Sequence, residues 1–170
     1  NPDNNTAFEV SGLAALSGSQ SVRLANHGQA QGSIDELISG PIDLSTVPNT
    51  GAFTLSFRYS YKKRTSGNDE WLRISVAEDC EEDWTIRKTM HGNILSSDEQ
   101  NTPWVPTDEA DWTTVHVTNI TSTFFTGGFK FKFNFENDGG NNFYLDNINL
   151  YEGSPSDDVI AASISELGTF

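Results

Sequence analysis

The chain contains one cysteine, Cys80, and one methionine in 170 residues. A lone cysteine forms no internal disulfide, so the fold is not stapled by a disulfide framework. Basic residues are also scarce: 10 Lys plus Arg stand against 24 Asp plus Glu, a formal net charge of −14. Too few cations remain for the basic footprint that nucleic acid or an anionic membrane surface requires. The balance leaves metal cations and neutral sugars open as ligands. No run approaches roughly 18 consecutive apolar residues, so no helical membrane span is predicted. No stretch keeps a helical apolar stripe for three turns. Two catalytic signatures are missing as well, the His-Glu-x-x-His of zinc peptidases and the Gly-x-Ser-x-Gly nucleophile elbow. The three histidines, His27, His91 and His116, lack metal-ligand spacing. Cys80 stands among carboxylates, a poor setting for a thiolate nucleophile. This segment is therefore read as no enzyme.

What is present is alternation. In residues 52–61, Phe53, Leu55, Phe57, Tyr59 and Tyr61 share one face, with Thr54, Ser56, Arg58 and Ser60 on the other. Successive strand side chains point to opposite faces, so this is a half-buried antiparallel strand. Residues 71–77 repeat the pattern, with Trp71 on the outer register. Residues 84–90 set Trp84, Ile86 and Met90 on one side, interrupted by Lys88. Strands follow at 112–118, at 129–135 with four phenylalanines alternating with Lys130, Lys132 and Asn134, and at 143–150. Earlier strands are expected at 7–11, 20–25 and 34–39. Ser66-Gly67-Asn68-Asp69 separates two strands, and Asn137-Asp138-Gly139-Gly140-Asn141-Asn142 supplies positive-φ positions for a hairpin. Many short strands divided by turns predict an all-β, two-sheet antiparallel β-sandwich of jelly-roll type. The compact domain is placed at 5–152 after a disordered start at 1–4, and 153–170 reads as a linker or tail.

Several segments carry a family resemblance. They are Ser17–Asn26, Leu37–Ser45, Trp71–Lys88 around Cys80, and Phe131–Leu150. Together they resemble the MAM-like or carbohydrate-binding-module-like jelly-roll domain that follows the catalytic unit of secreted, pappalysin-like zinc metallopeptidases of Bacteroidetes. Ser163–Phe170 is similar to the lead-in to a type IX secretion sorting domain, which is itself missing from the chain. The resemblance implies a non-catalytic accessory domain of a secreted or cell-surface bacterial protein, one whose parent is a zinc metallopeptidase or other hydrolase. Two roles stay open. The domain targets its parent to polysaccharide or glycoprotein, or it is a MAM-like interaction or spacer domain packed on the neighbouring catalytic domain.

Calcium, with its six to eight oxygen ligands, is the expected cofactor. Asp146 sits within the last strand, where an unpaired carboxylate would be costly. In calcium-containing jelly rolls of the kind this chain resembles, such a residue binds a structural ion together with an acidic residue near the first strand, matched here by Glu9. Asn26 or Asp35 would complete the shell. The alternative is that Asp146 faces solvent and hydrogen-bonds a neighbouring loop. The acidic turn of Asp79, Glu81, Glu82 and Asp83 is a second cation candidate, or simply a solvated loop. Sugar binding needs exposed aromatic faces beside polar groups. Trp104, in a proline-bounded loop, is the leading candidate, followed by Trp71 and Tyr61. Lys62, Lys63 and Arg64 form the only concentrated positive charge and would suit a sulfated or uronic-acid glycan, or make salt bridges to the acidic surface.

Overall fold

A computed structural model describes residues 6–48, 52–79 and 83–155. Among the described residues nine strands form the fold: β1 (Phe8–Ser11), β2 (Ser21–Leu24), β3 (Ile34–Ile38), β4 (Phe53–Tyr61), β5 (Trp71–Ala77), β6 (Thr85–His91), β7 (Thr113–Ile120), β8 (Lys130–Glu136) and β9 (Phe143–Glu152). A helical turn at Gly92–Leu95 and two 3₁₀ turns at Glu109–Asp111 and Ser122–Phe124 are the only helical pieces among the described residues. Each expected strand is present within a few residues of its place.

All the strand pairs within the sheets are antiparallel. They build a five-stranded sheet in the order β1-β2-β9-β4-β7 and a four-stranded sheet in the order β3-β8-β5-β6. Consecutive strands repeatedly change sheet, the signature of a jelly-roll sandwich. The inner faces meet through the alternating aromatics. Phe57 of β4 lies edge-on to Phe133 of β8 at 4.9 Å, and Phe135 of β8 contacts Phe143 of β9 at 4.9 Å. Such contacts bring the sheets together with little apolar area left wet.

Two local expectations fail for identifiable reasons. The Asn137–Asn142 turn carries its positive-φ glycine, Gly139 at φ 78°, yet it closes no hairpin. It joins β8 of one sheet to β9 of the other. Its asparagines bond loops instead of closing a ladder: Asn137 Nδ2 donates to the Ala30 carbonyl at 2.8 Å, and Asn142 Nδ2 to the Trp104 carbonyl at 3.1 Å. The second failure is in β6. Leu72 pairs with Met90 but Ser75 pairs with Ile86, because the register shifts between Ile74 and Ser75. One extra residue in a strand turns every later side chain over. Met90 therefore faces the core while Ile86 is 55% exposed on the outside.

Candidate functional site

The outer faces of the two sheets differ. Trp104 and Trp112 cover the outer face of the five-stranded sheet, packing with Tyr144, Ala14 and Leu16. Trp104 is only 5% exposed, and its indole N–H donates to Ser60 Oγ at 3.0 Å. The leading sugar-stacking candidate is thus a packing residue. Proline-bounded loops are usually displayed, but here three hydrogen bonds of the Asn141 side chain hold this one down, with partners Trp104 N and the Gln100 and Thr102 carbonyls.

The outer face of the four-stranded sheet carries a polar lattice with aromatic corners. Cross-strand registry aligns Ile34, Glu136, Trp71 and His91 in one row, and Glu36, Asn134, Arg73 and Thr89 in the next. The rows are stitched by side chains. Arg73 donates to Glu136 at 2.8 Å, and Glu36 accepts from Lys132 at 2.6 Å and from Asn134 at 3.0 Å. Glu36 is held below the usual carboxylate range: partial burial works the other way, and the bonds from Lys132 and Asn134 outweigh it. Lys132 also lies over Trp84 at 4.6 Å. Trp71 stacks on His91 at 3.9 Å and 5°, and the Arg73 guanidinium lies 4.8 Å from its centroid. The His91 ring in turn contacts Asp69 through Nδ1 at 3.0 Å.

At the Trp71 end of this face, three connections surround an open cleft of about 500 Å³. The β2–β3 loop contributes Gln31 and Gly32, the β4–β5 turn Asp69, and the β8–β9 turn Asn137 and Asp138, with Trp71 and Glu136 from the strands. A second cleft of about 320 Å³ adjoins it, shares Gln31 and Asp138, and is lined by Arg64 and Asn68. The turns are tied together: Asp138 Oδ2 accepts from Asp69 N at 2.9 Å, and Asn68 Nδ2 donates to the Asp138 carbonyl at 2.7 Å. The cleft is therefore pre-formed, which lowers the ordering cost of binding.

Of the candidates named from sequence, Trp71 and Arg64 reach these clefts. The rest of the basic triplet disperses, because successive side chains of an extended chain point in opposite directions. Lys62 lies over the Trp104 ring at 4.1 Å, and buried Lys63 bonds Asn93 Oδ1 at 2.8 Å. Tyr61 is buried and donates its hydroxyl to the buried Glu70 carboxylate. Burial raises the pKa of both groups. His91, Arg73, Glu136 and Asp69 are site residues that sequence reasoning missed. The signal for Arg73 and Glu136 lies in the outward register of β5 and β8; that for Asp69 and His91 requires knowing which turns and edges meet.

The expected calcium ligands do not converge. Glu9 pairs with Arg23 at 3.0 Å on the outer side of the five-stranded sheet. Asp146 lies on that same side and accepts from Leu16 N at 2.7 Å, Ser17 N at 3.3 Å and Asn147 N at 2.7 Å. Its carboxylate thus anchors the β1–β2 loop. Asp35 instead shares the inner face with its ladder partner Phe135. Asn26 is 1% exposed, and among the described residues neither Oδ1 nor Nδ2 has a hydrogen-bond partner. Its oxygen keeps lone pairs that a cation could use. Among the described residues no group of three or more His, Cys, Asp or Glu is placed to hold a metal. In the acidic turn, Asp79 accepts from Gly128 N at 3.1 Å and Asp83 is exposed. Cys80, Glu81, Glu82 and the tail from 156 onward lie outside the described residues.

No protein-family model matches the chain, and no curated protein does. Solved structures match over most of its length. The K2 cleaved adhesin domain of Lys-gingipain aligns with a TM-score of 0.55 at 16% identity, covering 91% of this chain and 86% of that one. TmCBM61, solved with β-1,4-galactotriose, aligns at 0.51 and 15% identity over 85% and 81% of the two chains. CBM27-1 of Caldicellulosiruptor saccharolyticus, solved with mannohexaose, aligns at 0.51 and 15% identity over 83% and 80%. The chain shares a jelly-roll fold with this adhesin domain and these carbohydrate-binding modules. At these identities the likeness concerns fold alone, and any ligand has to be argued from the cleft.

Proposed function

We propose that this domain binds a glycan in the Trp71 cleft and holds a larger secreted bacterial protein against its substrate. The observation that carries the reading is the cleft itself, an aromatic wall with fixed polar groups on a pre-ordered rim. Trp71, held by the stacked His91 ring and by Arg73 over its own ring, supplies apolar surface to the cleft, and side-chain amides and carboxylates orient hydroxyls. A bound module accelerates its parent by raising local substrate concentration, with no chemistry of its own. The finer origin, a Bacteroidetes protein with a pappalysin-like peptidase unit and a type IX sorting domain, is supported by the sequence resemblance.

β-1,4-Galactan and a mannan are the first probes, because TmCBM61 and CBM27-1 share the fold and were solved with β-1,4-galactotriose and mannohexaose. Affinity electrophoresis should show retardation by at least one neutral glycan. Trp71→Ala should weaken it about thirtyfold, the effect of losing a central aromatic anchor. His116→Ala, on the outer face of the other sheet, should leave it intact. Equal retardation of wild type and Trp71→Ala would move the site elsewhere.

A structural calcium ion belongs to the same proposal, with Asn26 Oδ1 as one of its oxygen ligands; the support is that this buried oxygen has no hydrogen-bond partner among the described residues. Binding only to the folded state would raise stability by about 2.7 kcal/mol at a hundredfold excess over Kd. Melting in millimolar Ca²⁺ should therefore exceed melting in chelator by several degrees, and Asn26→Ala should erase the difference. Identical melting curves for the wild type would remove the ion from the proposal.

A further inference from the structure

If the Trp71 cleft is a glycan site, as proposed above, the charges around it decide which glycan it takes. Among the described residues, the charged side chains lining the larger cleft are the carboxylates Asp69, Glu136 and Asp138, and the nearby cation Arg73 is engaged by Glu136 and the Trp71 ring. The three carboxylates are not equivalent. Glu136 is paired to Arg73 at 2.8 Å, and Asp69 contacts the His91 ring at 3.0 Å. Among the described residues Asp138 forms no salt bridge; its Oδ2 accepts the backbone N–H of Asp69 at 2.9 Å. It also lies where the two clefts meet, so a chain spanning both passes beside it. Arg64 is the single cation in the adjoining cleft, and it is already turned toward the Gly139 carbonyl at 3.3 Å. The remaining polar linings, Gln31 and Asn137, are amides, and Asn137 is occupied: Nδ2 by Ala30 and Oδ1 by Gly139 N.

Carboxylates accept hydrogen bonds and donate none. A ligand in this cleft must therefore bring donors, which free sugar hydroxyls supply. A uronate or sulfate keeps some hydroxyls but puts an acceptor-only, negatively charged group where the neutral sugar has a further hydroxyl. It would meet Asp138 at short range in a partly desolvated setting, where like charges are poorly screened. We infer that the cleft takes neutral, hydroxyl-bearing glycans and rejects anionic ones, with Asp138 as the principal specificity determinant. Discrimination of this kind comes from a repulsive element built against the wrong ligand. It also reverses the expectation attached to Lys62, Lys63 and Arg64, whose charges do not gather on one face.

Two pairs of polymers that differ only at C6 test this: β-1,4-mannan against β-1,4-mannuronan, and β-1,4-glucan against β-1,4-glucuronan. Calorimetry with hexasaccharides of each, at 20 mM and 500 mM NaCl, should show the neutral member bound at least tenfold more tightly, with the gap narrowing at high salt. Asp138→Asn keeps an oxygen to accept from Asp69 N while removing the charge. It should reduce the gap severalfold, mainly by improving uronate binding, and an unchanged melting temperature checks that the turn still folds. Uronate bound as tightly as the neutral sugar, or a gap unmoved by Asp138→Asn, would overturn the inference while leaving the glycan site standing. No binding by any hexasaccharide or by the galactan probe would overturn both.

Discussion

Gly140→Ala is expected to destabilise the domain by at least about 3 kcal/mol, measured by urea unfolding. A Cβ at this position would overlap the Glu70 carboxylate and stand 2.6 Å from the Tyr61 hydroxyl. Neither neighbour has room to retreat, since Tyr61 is 5% and Glu70 1% exposed. Glu70 is a buried carboxyl that accepts the Tyr61 hydroxyl at Oε2, so displacing Tyr61 would remove that hydrogen bond. Gly139→Ala is the informative comparison. Gly139 adopts φ 78°, so alanine there strains the backbone, but its nearest outside neighbour would be the flexible Gln31 side chain at 3.5 Å. Strain of that kind costs about 1–3 kcal/mol. The order Gly140→Ala worse than Gly139→Ala is therefore the result to look for. Equal or reversed effects would mean that Glu70 and Tyr61 can move aside.

Asn141→Ala is expected to cost about 3 kcal/mol and to release the loop that covers the five-stranded sheet. The Asn141 side chain is fully buried and holds Trp104 N at 2.7 Å, Asn142 N at 2.9 Å, the Gln100 carbonyl at 2.6 Å and the Thr102 carbonyl at 3.0 Å. Alanine satisfies none of these groups. Each buried polar group left unpaired costs about 1–3 kcal/mol, and the two N–H groups are buried with their partner. Trp104 would lose its anchor, so its emission should shift to the red in native buffer. Asn141→Asp keeps both acceptor bonds but sets a buried carboxylate oxygen against the Gln100 and Thr102 carbonyls, and should cost at least as much as alanine. A loss below about 1 kcal/mol with unchanged emission would show that Trp104 and Trp112 hold the loop by packing alone.

These two neighbours mark the point at which local sequence stops being informative. The run Asn137–Asn142 announces a turn, and Gly139 has the positive φ such a run suggests. Nothing local says that β8 and β9 belong to different sheets, that Gly140 must be bare because Glu70 arrives from the β4–β5 turn, or that Asn141 reaches the loop before β7. Those contacts join residues roughly 40 to 70 positions apart, as between Asn141 and Gln100 or Gly140 and Glu70.

The strands themselves are legible, because a period of two is a property of each segment alone. Phe53, Leu55 and Phe57, or Phe133 and Phe135, select their buried face wherever the strand is placed. The all-β sandwich class and the outward position of Trp71 follow from that. The choice between tryptophans does not. Trp71 lines a cleft and Trp104 is covered because one sheet's outer face receives a long loop while the other's stays open. The basic triplet reads as one patch because its residues are adjacent in sequence. Extended geometry sends Lys62, Lys63 and Arg64 to three different partners. Asp146 is readable as a carboxylate needing partners, and only the fold supplies them, as the backbone of Leu16 and Ser17. Strand positions, their buried faces and the acidic surface are thus written along the chain, since they depend on composition and local periodicity. Which aromatic is displayed, which carboxylates meet and hence the charge of the cleft arise only on assembly, because they depend on sheet order and on loops that cross between the sheets.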